Sequence, residues 1–135
     1  MQAHAETDRL ASELVAAMNY VDVKYVREVQ RAIVAAQGAH AGQTRASGSP
    51  FITHPISVGL LLAKLKVDYK CVVAAILHDV LEDTLYTVKK LAAEFGEDVA
   101  AVVDGLTKLE QIPSTDRDVL QAESFRKMLM AMSKD

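Results

Sequence analysis

The sequence contains few of the residues that build cross-linked or aromatic-rich proteins. Its 135 residues include one cysteine, Cys71, no tryptophan, and only 5% aromatic residues. A single cysteine excludes an internal disulfide framework and is typical of a reducing compartment, so we expect a cytoplasmic protein. The core must come from aliphatic residues and methionine, and this Ala-rich mixture favours helices over a β-sandwich.

Charge and hydrophobic length exclude two further classes. The net charge of −3 offers no basic surface for nucleic acid, so a polyanionic substrate would need local cations or a metal. The start, MQAHAETDRL, lacks an apolar run behind a basic head and is not a signal peptide. The longest apolar runs, such as GLLLA and VVAAIL, are too short to span a bilayer. We therefore expect neither nucleic-acid binding nor a membrane span.

Apolar residues recur at helical spacing along most of the chain, which predicts an all-α fold, an irregular helical bundle in one domain. The predicted helices cover about residues 7–18, 23–38, 55–66, 69–83, 88–95, 98–104 and 120–135. Three polar residues are placed to cap helix N-termini, namely Asp22, Asp68 and Thr87. Three glycines are placed to end helices, namely Gly38, Gly96 and Gly105. Residues 41–50 and 111–118 are the predicted loops.

The helix predicted over 69–83 is apolar on all sides until its last turns. On a helical wheel His78, Asp79, Glu82 and Asp83 fall within an arc of about 140°. Clustered charges at a buried helix C-terminus must be paired, protonated or bound to a metal. Imidazole with carboxylate favours Mn, Fe, Co or Zn over Mg or Ca. The alternative is a solvated helix end. The Glu82-Asp83 pair at helical spacing and the apolar turns upstream favour a metal site.

His54 follows the glycine-rich loop, in the segment Thr53-His54-Pro55 at the predicted start of a helix. A lone histidine in such a place ordinarily has a capping or surface role. In the company of the His78-Asp79 pair, it is instead the next candidate ligand. Pro55 suits a first helical position, because its missing N–H costs nothing there.

Longer motifs carry a resemblance to a known family. The segments AHAGQTRASGSPFITHPISV, VVAAILHDVLEDT and FGEDVAAVVDGLTKL occur in this order. Together they resemble the amino-terminal hydrolase domain of the RelA/SpoT (Rel) proteins, which make and degrade the alarmone (p)ppGpp and belong to the HD phosphohydrolase superfamily. The resemblance runs from about residue 7 to the end of the chain.

The resemblance implies a metal centre and its chemistry. Family hydrolases hold one Mn²⁺ with two histidines and two aspartates, and His54, His78 and Asp79 match three of these ligands. Glu82 and Asp83 match the family's catalytic acidic pair, which positions and deprotonates the attacking water. The implied reaction is Mn-dependent hydrolysis of (p)ppGpp at its 3′-diphosphate, giving GDP or GTP and pyrophosphate.

The resemblance also assigns residues outside the metal centre. Arg45 matches a residue that contacts the guanine base of guanosine tetra- or pentaphosphate, and Ser47 lies in the same contact region. Thr107 and Lys108, in the DGLTKL motif, are expected to be structural first. Asp104 is not expected to be a ligand, because the motif around it is not the metal-binding one in the family.

One departure from the family pattern concerns the end of the chain. The family's fourth ligand lies in an A-D-R-x-H-N type segment after the helix equivalent to 120–135, and this sequence does not contain it. No synthetase motif is present either. We therefore expect residues 1–135 to be an amino-terminal HD hydrolase domain truncated before its last helices, which binds Mn²⁺ weakly and hydrolyses poorly. The apolar face of 120–135 favours self-association.

Two alternatives remain open from the sequence. The first is a degenerate helical regulatory module of a GTP pyrophosphokinase, in which the HD residues are no longer used. The second is another HD enzyme, such as a general nucleotide phosphohydrolase, against which the GQTRASG and DGLTKL motifs argue.

Overall fold

The computed structural model describes residues 2–83 and 86–110, with the backbone alone for 2–4, 82–83 and 106–110. These residues form seven helices: α1 (Gln2–Ala17), α2 (Val23–Ala39), α3 (Thr53–Lys64), α4 (Tyr69–Leu77), α5 (Val80–Asp83), α6 (Val88–Phe95) and α7 (Glu97–Glu110). The described part contains no strand, only one isolated antiparallel bridge between Thr44 and Pro50. The predicted all-α fold is confirmed. The helix and loop predicted beyond residue 110 lie outside the described residues.

Helix α4 lies at the centre of the core. Every residue from Cys71 to Val80 is buried, as a helix that is hydrophobic on all sides requires. Helices α2, α3 and α7 pack around it, and α1 packs on α3. Helices α3 and α4 approach closely at Gly59, where an added Cβ would lie 3.2 Å from Cγ1 of Ile76. The chain therefore brings the first turn of α3 and the end of α4 to one place.

The three predicted N-caps are confirmed. The side chain of Asp22 accepts a hydrogen bond from the amide of residue 24 at 3.0 Å, and that of Asp68 from residue 70 at 2.8 Å. Thr87 accepts from the amide of Lys90 at 3.1 Å. Gly96 ends α6 as predicted, with a φ of 94° that favours glycine.

Several predicted helix limits are wrong. Helix α2 ends at Ala39, one residue after the stop predicted near Gly38, whereas α7 passes through Gly105. A glycine inside a helix costs only about 1 kcal/mol, which tertiary packing outweighs. Helix α3 begins at Thr53, so Pro55 is its third residue; its missing N–H is still harmless in the first turn. Val34, an apolar residue of α2, is 68% exposed.

No helix among residues 2–83 and 86–110 is both long and apolar enough to cross a bilayer.

Candidate metal centre

The helix predicted over 69–83 is interrupted at the candidate site. Helix α4 ends at Leu77 and α5 begins at Val80, with His78 and Asp79 between them. The ring Nδ1 of His78 lies 2.7 Å from the carbonyl oxygen of Ala75. That carbonyl is the one a continuing α-helix offers to the amide of Asp79. The side chain of His78 thus competes for the Ala75 carbonyl with the helical backbone bond. The prediction of one unbroken helix over 69–83 is wrong.

Three candidate ligands lie together at this break. Ligand atoms of His54, His78 and Asp79 are all within 4.8 Å of one another. Nε2 of His78 lies 3.3 Å from Oδ1 of Asp79, and Nε2 of His54 lies 4.0 Å from Oδ2 of the same carboxylate. The structure therefore places the Asp79 carboxylate within reach of both imidazoles, one from α3 and one from the end of α4.

The burial of the three side chains forms a gradient. The side chain of His78 is 1% exposed, that of Asp79 11%, and that of His54 23%. The two α4-end residues are thus held in the core, while His54 forms the solvent-facing side. A carboxylate with two imidazoles in a largely dry place has the composition of a transition-metal site. Among the described residues, this is the group that could hold a metal ion.

The orientation of His78 fits a metal ligand. A carbonyl oxygen can only accept, so Nδ1 must carry the proton that it donates to Ala75. In the neutral ring Nε2 then presents its lone pair on the side of Asp79. Metal-binding histidines commonly have their other nitrogen bonded to a backbone carbonyl in this way, which fixes the tautomer and the ring. The donor set therefore fits a divalent ion.

His54 is held by the segment that enters α3. Its amide donates to the carbonyl oxygen of Phe51 at 3.0 Å, and the two rings meet edge to face with centroids 6.0 Å apart. The ring of His78 lies 6.3 Å from that of His54 on the other side. The neighbouring Thr53 is buried and donates its hydroxyl to the carbonyl of Pro50 at 2.8 Å. His54 is thus fixed both by α3 and by the loop before it.

That loop is a small hairpin over residues 43–51. The amide of Arg45 donates to the carbonyl of Ser49, and the amide of Gly48 donates back to the carbonyl of Arg45, both at 2.8 Å. Gly48 has a φ of 92°, which the tight turn requires and other residues rarely adopt. The guanidinium of Arg45 lies 3.4 Å from the hydroxyl of Thr53. The hairpin therefore brings a cation beside the residue that precedes His54, while Ser47 stays exposed at its tip.

Comparison with known sequences decides the family. The HD domain family model matches residues 32–135. The chain belongs to the HD domain family. This family implies a divalent metal, and the cluster of His54, His78 and Asp79 is where the described part of the chain could hold it.

Several curated proteins are similar to this chain. The chain is 45% identical over 116 residues to the bifunctional (p)ppGpp synthase/hydrolase SpoT of Escherichia coli, covering 86% of this chain and 16% of that protein. It is 50% identical over 100 residues to guanosine-3′,5′-bis(diphosphate) 3′-pyrophosphohydrolase of Haemophilus influenzae, covering 74% of this chain and 15% of that protein. It is 47% identical over 107 residues to a probable GTP pyrophosphokinase of Mycobacterium leprae, covering 79% and 13%. The predicted resemblance to the RelA/SpoT proteins is confirmed, and the chain spans only a small part of these relatives.

The side chains of the predicted catalytic pair lie outside the described part of the chain. Glu82 and Asp83 belong to α5, but their side chains lie outside the described part, as do those of Thr107 and Lys108. Their roles stay predictions. Asp104 lies on α7 and is not part of the metal-ligating group found among the described residues.

Sequence reasoning missed one buried polar residue near the site. His40, at the end of α2, is 2% exposed and contacts Gln43 and Phe51, the first and last residues of the hairpin. Its neighbours in the sequence are alanines, and a histidine in such a stretch gives no signal of burial. The only hint was its position immediately before the hairpin.

Proposed function

We propose that this HD domain hydrolyses (p)ppGpp as a Mn²⁺-dependent 3′-pyrophosphohydrolase. The observation that carries the proposal is the meeting of His54, His78 and Asp79 within 4.8 Å. It is supported by relatives named as guanosine-3′,5′-bis(diphosphate) 3′-pyrophosphohydrolase, which are 39–50% identical to this chain. The substrate is guanosine tetra- or pentaphosphate, and the products are GDP or GTP and pyrophosphate.

The reaction breaks one bond between phosphorus and oxygen. A water oxygen forms a bond to the phosphorus attached to the ribose 3′-oxygen, and the bond between this phosphorus and the 3′-oxygen breaks. The 3′-oxygen then takes up a proton, and pyrophosphate leaves. When bound, a divalent ion lowers the pKa of water and polarises the phosphoryl group. His54, His78 and Asp79 would hold this ion. Imidazole nitrogens with a carboxylate suit Mn²⁺ better than Mg²⁺.

The other assigned residues act on the water and on the nucleotide. In the proposal Glu82 or Asp83 accepts the proton of the attacking water, a role worth on the order of 10²–10⁴-fold in rate. Arg45 binds the guanine base, for which its flat guanidinium is suited by stacking, and Ser47 contacts the nucleotide from the same hairpin. The position of Arg45 supports this role, because its guanidinium lies beside Thr53, which precedes the proposed ligand His54.

The proposal extends to the organisation of the whole protein. We place this chain as the amino-terminal hydrolase domain of a longer cytoplasmic protein, in which the fourth Mn²⁺ ligand follows residue 135. The family model matches as far as residue 135, and the relatives are roughly six to eight times longer than the matched region.

The test is a hydrolysis assay on the full-length protein with (p)ppGpp and Mn²⁺, in which pyrophosphate release is followed by chromatography. Asp79→Asn should abolish release, and Glu82→Gln should lower kcat by at least about 10²-fold. Asp8→Asn is the control, an exposed acidic residue of α1 in the same domain that should leave the rate within about twofold. Absence of pyrophosphate release by wild type with Mn²⁺ bound would refute the proposal.

A second candidate is a regulatory module of a GTP pyrophosphokinase, the name carried by relatives from Mycobacterium leprae and Streptomyces coelicolor. In that case the HD residues have no chemical task. Glu82→Gln would then leave both hydrolysis, at background level, and synthesis unchanged.

A further inference from the structure

His40 is a buried histidine outside the candidate metal centre. It is the C-cap of α2, and only 2% of its surface is exposed. Its Nδ1 lies 3.0 Å from Oε1 of Gln43, and its Nε2 is buried with no hydrogen-bond partner among the described residues. A buried polar atom left without a partner destabilises the folded state. An apolar residue would fill the space without this cost, so packing alone does not explain the imidazole.

The contacts of His40 lead to the hairpin. The amide of Gln43 donates to the carbonyl of His40 at 3.0 Å, and the amide of Phe51 donates to the carbonyl of Gln43 at 2.9 Å. The imidazole itself packs against the ring of Phe51, with centroids 4.6 Å apart. His40 therefore contacts both ends of the hairpin and ties them to the end of α2.

The same contacts lead on to the metal centre. The carbonyl oxygen of Phe51 accepts a hydrogen bond from the amide of His54, and the Phe51 ring packs against the His54 imidazole. His54 is the most exposed of the three candidate ligands, so its position depends most on such neighbours. A path of direct contacts thus runs from His40 through Phe51 to His54.

We propose that His40 is a positioning residue, whose Nδ1–H bond to Gln43 sets the hairpin and, through Phe51, the ligand His54. The proposal rests on the metal centre of the proposed function. The side-chain oxygen Oε1 of Gln43 can only accept a hydrogen bond, so Nδ1 of His40 carries the proton. The nitrogen that matters is then Nδ1, and the buried Nε2 is dispensable.

Two substitutions of His40 separate the nitrogens. His40→Asn places an amide nitrogen where Nδ1 is and keeps the donor to Gln43. His40→Gln carries its amide to the region of Nε2 and loses that donor. Both remove the ring that packs against Phe51, and they differ from each other in the position of the amide nitrogen and by one methylene group.

Mn²⁺ affinity of the full-length protein, followed by electron paramagnetic resonance of the free ion, is the main measurement. We expect His40→Gln to bind Mn²⁺ about tenfold more weakly than His40→Asn, in the range found for outer partners of metal ligands. Amide hydrogen exchange of residues 43–51 in the metal-free protein should be faster in His40→Gln. Equal Mn²⁺ affinity and exchange in the two variants would overturn the proposal, as would a weaker His40→Asn.

A third variant guards against a fold defect at the buried position. Gln43 is only partly buried, and Gln43→Met removes the acceptor with little change in volume. It should weaken Mn²⁺ binding as His40→Gln does, and unchanged affinity would contradict the proposal. Because metal affinity is measured without nucleotide, a wild type that binds Mn²⁺ but releases no pyrophosphate would refute the proposed function and leave this inference standing.

Discussion

Gly59 links the packing of the core to the geometry of the candidate metal centre. It lies on α3 five residues after His54, and it faces Ile76, two residues before His78. An added Cβ would lie 3.2 Å from Cγ1 of Ile76 and 3.4 Å from Cδ2 of Leu14. We predict that Gly59→Val pushes α3 away from α4, lowers the stability of the domain and weakens metal binding.

The magnitude follows from these distances. Carbon atoms in contact prefer about 3.5–4.0 Å, and valine adds two methyl groups beyond the Cβ. Ile76 and Leu14 are completely buried, so neither can swing into solvent. Overpacking of this kind costs about 1–3 kcal/mol. For 135 residues the entropy of unfolding is roughly 0.28 kcal/mol/K, so the melting temperature should fall by about 4–11 °C.

The assay is thermal and urea unfolding followed by circular dichroism, together with a Mn²⁺ titration of each variant. Gly38→Val is the matched control, since Gly38 also lies inside a helix but an added Cβ there meets nothing within 4 Å. Valine has the better helix propensity, so this variant should be as stable as wild type or a few tenths of a kcal/mol more stable. A Gly59→Val variant that melts at or above the wild-type temperature would refute the reasoning.

Three further predictions concern single side chains. Mn²⁺ at 100 times its Kd should stabilise the domain by about 2.7 kcal/mol and raise the melting temperature by about 10 °C in scanning fluorimetry. Asp79→Asn should lose most of this rise, and an undiminished rise would contradict the ligand assignment. Burial raises the pKa of the Cys71 thiol to about 11, so at pH 8 the neutral thiol should react with Ellman's reagent only after denaturant is added; rapid labelling in native buffer would be inconsistent with this. The hydroxyl of Tyr20 donates to the carbonyl of Val67 at 2.7 Å, so Tyr20→Phe should lower the unfolding free energy in urea by about 1 kcal/mol; an unchanged midpoint at equal slope would show that this bond contributes nothing.

The parts of the fold that were predicted correctly depend on interactions between close neighbours in the sequence. An N-cap is one hydrogen bond to an amide two or three residues ahead, and Asp22, Asp68 and Thr87 make theirs as predicted. The helix end predicted near Gly38 is correct to within one residue, but the end predicted at Gly105 is wrong. Whether a helix passes a glycine depends on what packs against the residues beyond it. That information lies in distant parts of the chain.

At the candidate site, too, some features could be predicted from the sequence and others depend on the three-dimensional structure. Imidazoles and carboxylates at helical spacing, together with the family resemblance, indicated His54, His78 and Asp79 as ligands, and these three are close in space. The helical wheel could not predict the break after Leu77. The bond from the His78 ring to the Ala75 carbonyl depends on a rotamer, and sequence spacing carries no information about rotamers.

The break and the buried helix together explain how a polar centre is tolerated here. All residues from Cys71 to Leu77 are buried, so the end of α4 cannot shift without disturbing the core. His78 inherits this rigidity, and its bond to Ala75 leaves only one nitrogen for a ligand role. His54 lies on α3, which packs closely against α4 at Gly59, and its ring contacts Phe51 of the hairpin. His54 is therefore the candidate ligand through which both changes in the core and changes in the hairpin should act on metal affinity.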